Sequence, residues 1–219
     1  AAVGLTWEQV KEQAPPGVVA ACHNGADSVT ISGDAEGVAT FCAQLKEKDI
    51  FAKVVDTSGI PFHSPAMLAV QDEMIECMRT AVPEPKPRSS KWISTSIPED
   101  DWESDLAATC SAEYHVHNAC SPVLFYEAIQ KIPANAVTIE MAPHSLMQAI
   151  LRRSLQKTVT NVGLMNRPKS ENDDELESFL GSLGKIYQAG VNIQITELYP
   201  GGQYKGVVPK GTPMIGPMW

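Results

Sequence analysis

The order in which hydrophobic periodicity switches along residues 1–56 constrains this chain more than any other feature. Ala1–Leu5 reads as a short strand, and Thr6 is placed to cap a helix in which Gln9, three residues on, completes a capping box before Val10. Pro15-Pro16-Gly17 stops that helix. Val18–Cys22 reads as the next strand, Asn24-Gly25-Ala26-Asp27 supplies turn chemistry, and Ser28–Ser32 returns as an antiparallel partner. Gly33-Asp34 opens a second helix carrying Val38, Phe41, Cys42 and Leu45 on one face, and Phe51–Val55 is a fourth strand. The order β-α-β-β-α-β is that of a ferredoxin-like split βαβ unit.

Larger α/β units follow. The loop Thr57–Pro65 leads into a helix over Ala66–Ala81, and the prolines of PEPKPR then form an extended connector. Trp92–Ser96 reads as a strand and Asp100–Thr109 as a short helix. Residues Ser111–Val123 read as a polar βα loop, and Ser121–Lys131 as a helix with Pro122 at its first position. Val137–Met141 has the apolar character of a buried parallel strand. A helix over Leu146–Leu155, a mobile acidic loop at Ser170-Glu171-Asn172 and a last helix over Asp173–Ala189 come next. From Tyr199 the Gly/Pro-rich tail reads as an extended linker. The fold class expected is α/β, in three parts: a ferredoxin-like lobe over 1–56, a parallel-sheet lobe over 57–195 and a linker over 196–219.

Composition narrows the function classes. With 17 Lys+Arg against 26 Asp+Glu the formal net charge is −9, and no basic block is present, which disfavours nucleic acid as a partner. The strands also lack the paired exposed aromatics that an RNA-binding sheet needs. No apolar run is longer than that of Val18–Cys22, far short of the ~20 residues a bilayer span requires, so no membrane association is expected. Five scattered cysteines without a CxxC pair read as reduced thiols in the cytoplasm. No Cys/His grouping has the spacing of a zinc site, and no metal is expected.

His63 lies at the mouth of a strand-to-helix loop, restrained between Pro61 and Pro65, and spacing alone leaves it either a surface histidine or a general base. A base needs a nucleophile, yet the 219 residues contain no GxSxG elbow. Ser64, just before Pro65, is placed to cap the next helix. Cys22 and His23, adjacent on a strand, point to opposite faces and cannot readily pair.

The segments GIPFHSPAM, VVAACHNGADSVTISG and SAEYHVHNACSPVLF, continuing through EPKPRSSKWISTSIPEDDW and IEMAPHSLMQAIL to KGTPMIGPMW, resemble the malonyl/acetyl acyltransferase domain of animal-type fatty acid synthase. They are similar also to acyltransferase domains of modular polyketide synthases and, more distantly, to free-standing bacterial malonyl transacylases. The resemblance implies an α/β-hydrolase-like lobe around the smaller one and a ping-pong transfer. A serine takes an acyl group from malonyl-CoA or acetyl-CoA and passes it to the phosphopantetheine thiol of an acyl carrier protein, with no permanently bound cofactor.

On that resemblance His63 is the general base and Asn118 offers the backbone carbonyl that sets its tautomer. Phe62 is the wall of a malonyl-type pocket, Cys120 a small pocket-lining residue, and Lys53 and Arg153 are basic contacts to the phosphates of CoA or phosphopantetheine, with Arg152 the alternative to Arg153. A main-chain acceptor cannot be deleted by a side-chain mutation. The GHSxGE segment carrying the nucleophile and the arginine that clamps the malonyl carboxylate would lie before Ala1, so the chain reads as the carboxyl two-thirds of such a domain, inactive alone. The tail is expected to run over a ketosynthase domain. The alternatives are a non-catalytic scaffold or docking fragment, and an acyltransferase domain of a polyketide synthase.

Overall fold

The computed structural model describes residues 1–168, 170, 174–194 and 198. Its contacts divide into two compact units, residues 1–136 with 149–159, and residues 137–148 with the described residues from 160 on. The expected linker over 196–219 lies outside the described residues apart from Leu198, as do Glu171, Asn172 and Asp173.

The first unit begins with β1 (Ala2–Val3), α1 (Trp7–Gln13), β2 (Val18–Gly25), β3 (Ser28–Gly33), α2 (Ala35–Glu47) and β4 (Ala52–Lys53). The four strands pair antiparallel in the order β2-β3-β1-β4. The capping box forms as the sequence predicts. Gln9 N–H donates to Thr6 Oγ1 at 3.2 Å, and Thr6 N–H donates to Gln9 Oε1 at 2.9 Å. Asp34 caps α2 through the N–H of Gly37. One sheet face, with Val3, Val29, Ile31 and Ala52, packs under Val10 of α1 and Phe41, Cys42 and Leu45 of α2. Gly33 adopts φ +143°, and a Cβ there would collide with the carbonyl oxygen of Gly17.

Two boundaries differ from expectation. β2 runs on to Gly25 because His23 and Gly25 keep pairing with Val29 and Ser28, so the turn contracts to Ala26-Asp27. β4 is only Ala52–Lys53, since β1 offers it only two residues to pair with. Within β2 the register skips Ala21, a bulge whose carbonyl accepts the N–H of Val123 at 2.8 Å.

The regular elements in the rest of this unit are mostly helices and 3₁₀ turns. Pro65–Val70 is a 3₁₀ turn leading into α3 (Gln71–Ala81), so the helix expected from Ala66 starts in a tighter coil. β5 (Lys86–Pro87) pairs with β6 (Thr109–Cys110). The helix expected over Asp100–Thr109 is broken into a 3₁₀ turn at Glu99–Asp101 and α4 (Asp105–Ala108), capped by Ser104. The strand expected at Trp92–Ser96 does not form. Ser94 Oγ there pairs with the Tyr114 hydroxyl at 2.7 Å and accepts the N–H of Ser96, local bonds that replace a ladder.

The largest correction lies at 111–123, read from sequence as a loop. It is α5 (Ala112–Cys120), capped by Ser111, which accepts the N–H of Tyr114. Ser121, expected to start a helix, instead ends α5, and α6 spans only Phe125–Ile129. Met67, Val116 and Cys120 form a second small core with Met74, Ile75 and Met78.

In the second unit β7 (Val137–Glu140) and β8 (Thr160–Gly163), the latter not foreseen, pair in parallel. α7 (Gln148–Ser154) starts here and continues into the first unit, and α8 spans Glu175–Gln188. The Glu140 carboxylate accepts from the N–H groups of Leu146 and Met147 and from Gln148 Nε2, fixing the turn before α7.

Truncating the small core should show its weight. Leu45→Ala is expected to lower unfolding free energy by about 2–5 kcal/mol in a urea titration, and Thr6→Ala by about 1 kcal/mol. Equal losses from the two would contradict the core assignment.

Candidate active site

The loop Asp56–Ser64 is shaped by Ser58, Gly59 and His63, all with positive φ. His63 sits at φ +59°, a left-handed conformation that a non-glycine residue holds only against opposing sterics. Two bonds to α5 hold it there. Its backbone N–H donates to Ala119 O at 2.9 Å, and its Nδ1 lies 2.8 Å from Asn118 O and 3.1 Å from Ser121 O.

Both partners of Nδ1 are carbonyl oxygens, which can only accept. Nδ1 therefore carries the proton, and Nε2 is left with its lone pair. The carbonyls belong to the end of α5, where the last turn of a helix has acceptors without intrahelical donors. Asn118 is fixed in turn by its side chain, whose Nδ2 donates to the buried Ser96 hydroxyl. The Ala119 and Ser121 carbonyls and Ser96 were not foreseen, since their signal depends on α5 being a helix.

The remaining candidates occupy varied places. Phe62, 41% exposed, stands beside the base with its ring centroid 6.4 Å from the imidazole. Ser64 does not cap the next helix, because its hydroxyl donates back to Pro61 O at 2.6 Å. Cys120 is buried in the cluster with Met67 and Val116, and burial pushes its thiol up.

Lys53 and Arg153 are both exposed, but apart. Arg153 lies 3.7 Å from Asp27 in the β2–β3 turn. Lys53 sits on the edge strand, in register through Ala2 with Thr30. Two strand spacings and three residues separate Lys53 from Asp27, about 14 Å between Cα atoms.

His115 and His117 take separate partners, Cys110 Sγ and Ser121 Oγ, each at 3.3 Å. His23, which shares no bond with Cys22, has Nδ1 2.7 Å from Glu127 Oε1 and stacks on Trp7.

Residues 1–193 match the acyl transferase domain family. The chain belongs to that family. Curated relatives of this acyl transferase chain include the highly reducing polyketide synthase PKS6 of Gibberella zeae, 29% identical over 163 residues covering 71% of this chain and 6% of that protein. The reducing polyketide synthase DEP5 of Alternaria brassicicola is 34% identical over 164 residues, covering 69% of this chain and 7% of its own length. The chain thus spans under a tenth of these relatives.

Among solved structures, the acyltransferase domain from module 8 of the salinomycin polyketide synthase superposes with a TM-score of 0.68 at 18% identity, covering 88% of this chain and 45% of that one, which shows a shared α/β fold. These relatives are polyketide synthases, so the narrower likeness to animal-type fatty acid synthase gives way to the polyketide alternative. No described helix is long and apolar enough to cross a membrane.

The tautomer can be read directly. A long-range ¹H–¹⁵N spectrum of the neutral imidazoles should show the His63 proton on Nδ1 and not on Nε2. The opposite tautomer would remove the orienting role of α5.

Proposed function

We propose that this chain is part of the acyltransferase domain of a polyketide synthase, which moves an acyl group from a CoA thioester to the phosphopantetheine thiol of an acyl carrier protein. The observation that carries the reading is His63, its Nδ1 2.8 Å from Asn118 O and its Nε2 left to accept a proton. Family membership over residues 1–193 supports the reaction class, and the polyketide synthase relatives support the setting.

In this reading His63 Nε2 takes the hydroxyl proton of a serine as its oxygen attacks the thioester carbonyl. The tetrahedral intermediate collapses, the C–S bond breaks, and the departing CoA thiolate takes the proton from Nε2. The phosphopantetheine thiol then reverses the sequence, regenerating the serine. The C-terminal end of α5, negative in its dipole, lies against the ring that holds the proton between steps. The serine is proposed to reside in a GHSxGE segment outside these 219 residues, in keeping with the lack of a GxSxG elbow and with coverage of 45% of the salinomycin domain.

Phe62 is proposed as the pocket wall beside the base, favouring malonyl over branched extenders. Lys53 and Arg153 are proposed to meet CoA or phosphopantetheine phosphates at separate points, and Cys120 to act through packing that seats α5. Residues 1–56 are read as the ferredoxin-like subdomain, supported by the strand order β2-β3-β1-β4. Residues 57–195 are read as the C-terminal part of the hydrolase-like lobe and 196–219 as a linker toward a ketosynthase domain. The free cysteines support a cytoplasmic setting.

With radiolabelled malonyl-CoA the 219-residue chain should form no covalent adduct, whereas a chain extended through the GHSxGE segment should. An adduct on the short chain would overturn the placement of the nucleophile. In the extended chain His63→Ala should slow transfer by about 10²–10⁴-fold; near-normal transfer would defeat the assignment of the base. Phe62→Ser should raise methylmalonyl over malonyl kcat/KM about tenfold or more, and an unchanged ratio would remove Phe62 from the pocket.

A further inference from the structure

A second pair of reactive groups lies away from His63. Cys110 Sγ is 3.3 Å from His115 Nε2. Cys110 ends β6, Ser111 caps α5, and one helical turn later the His115 ring reaches back to the thiol. With the thiol as donor, Nε2 accepts and the His115 proton sits on Nδ1.

The imidazole lies beside two aromatic rings. Tyr114 meets it edge-on at 5.6 Å, and Trp92, tilted by 34°, lies at 6.2 Å. The Arg88 guanidinium covers Trp92 and Tyr114 at 5.5 and 5.6 Å.

Cys110, half-buried, lines a hollow of about 300 Å³ with Ala81, Val82, Pro83, Glu84 and Lys86, where the end of α3 meets β5. The other thiols differ. Cys42 and Cys120 are buried, Cys77 lies exposed on α3, and the Cys22 thiol is pushed up by burial. Cys110 combines an imidazole partner with a hollow large enough for a small molecule, and the proposed acyl transfer uses neither.

We propose that Cys110 is a thiol–disulfide exchange site, with His115 as its proton acceptor and the hollow as the seat of a low-molecular-weight disulfide. The Cys110 thiol proton passes to His115 Nε2 as Sγ attacks one sulfur of the disulfide. The Sγ–S bond forms, the original S–S bond breaks, and the expelled thiolate leaves as a thiol with the proton from Nε2. The products are a mixed disulfide on Cys110 and one equivalent of free thiol, with no other oxidant.

The test treats the full chain with oxidised glutathione at neutral pH and follows each cysteine by peptide mass spectrometry. Cys110 should gain the adduct at least several-fold faster than Cys77, although Cys77 is the more exposed. In Cys77→Ser the first equivalent should map to Cys110, and His115→Gln should slow that modification about tenfold with an unchanged circular dichroism spectrum. Faster labelling of Cys77 or Cys22 than of Cys110 in the unmodified chain overturns the proposal without recourse to a variant. An unchanged Cys110 rate in folded His115→Gln does so too.

Discussion

A helix that ends inside a protein must find donors for its last carbonyls, and in α5 one residue of a distant loop supplies two of them. The backbone N–H of His63 goes to Ala119 and its Nδ1–H to Asn118, while the N–H of Ser121 closes on His117. Each bond is worth about 0.5–1.5 kcal/mol net, but a buried carbonyl left without a donor costs about 1–3 kcal/mol, so the arrangement resists partial loosening. The positive φ of His63 persists on that account. Two bonds to one helix end offset a strain of about 1–3 kcal/mol, and releasing them would leave two carbonyls short of a donor.

The chain leaving α5 extends this anchoring. Ser121 turns its carbonyl to His63. Val123 exchanges hydrogen bonds with Ala21 and His23 across the bulge of β2, and Leu124 N–H reaches Thr95 O. Within four residues the segment touches the base, the edge of the small sheet and the loop after Trp92. The base is thus tied to the β2 edge of the small sheet through a segment whose own bonds are made by main-chain atoms. His23, bonded to Glu127 of α6 and stacked on Trp7 of α1, adds a side-chain tie between the same parts.

Where local chemistry decided the structure, the sequence was legible. Thr6 with Gln9, Asp34, and the stripe Phe41, Cys42, Leu45 specify their elements through neighbours three or four residues away, and residues 1–56 follow them closely. The segment 111–123 was illegible because its buried residues Ala112, Tyr114, Val116 and Cys120 alternate with Glu113, His115 and His117, a polar interleaving that suggests a loop. Ser111 carried the one usable signal, an N-cap. The strand misread at Trp92–Ser96 failed for the converse reason, since Ser94 bonds Tyr114, a partner twenty residues away that no local pattern reveals. His63 could be singled out from its loop and from family likeness, but the carbonyls that orient it became visible only once α5 was known to be a helix.

Because the group that orients the base is the peptide backbone, exchanging the amino acid at 118 would remove the Ser96 bond that steadies the acceptor but not the acceptor itself. The alignment is instead sensitive to chain length. Adding or removing one residue within α5 would turn the terminal carbonyls by about 100° and shift them about 1.5 Å along the axis, carrying them out of reach of His63. In this helix insertions and deletions, more than substitutions, are the changes that natural variation should avoid.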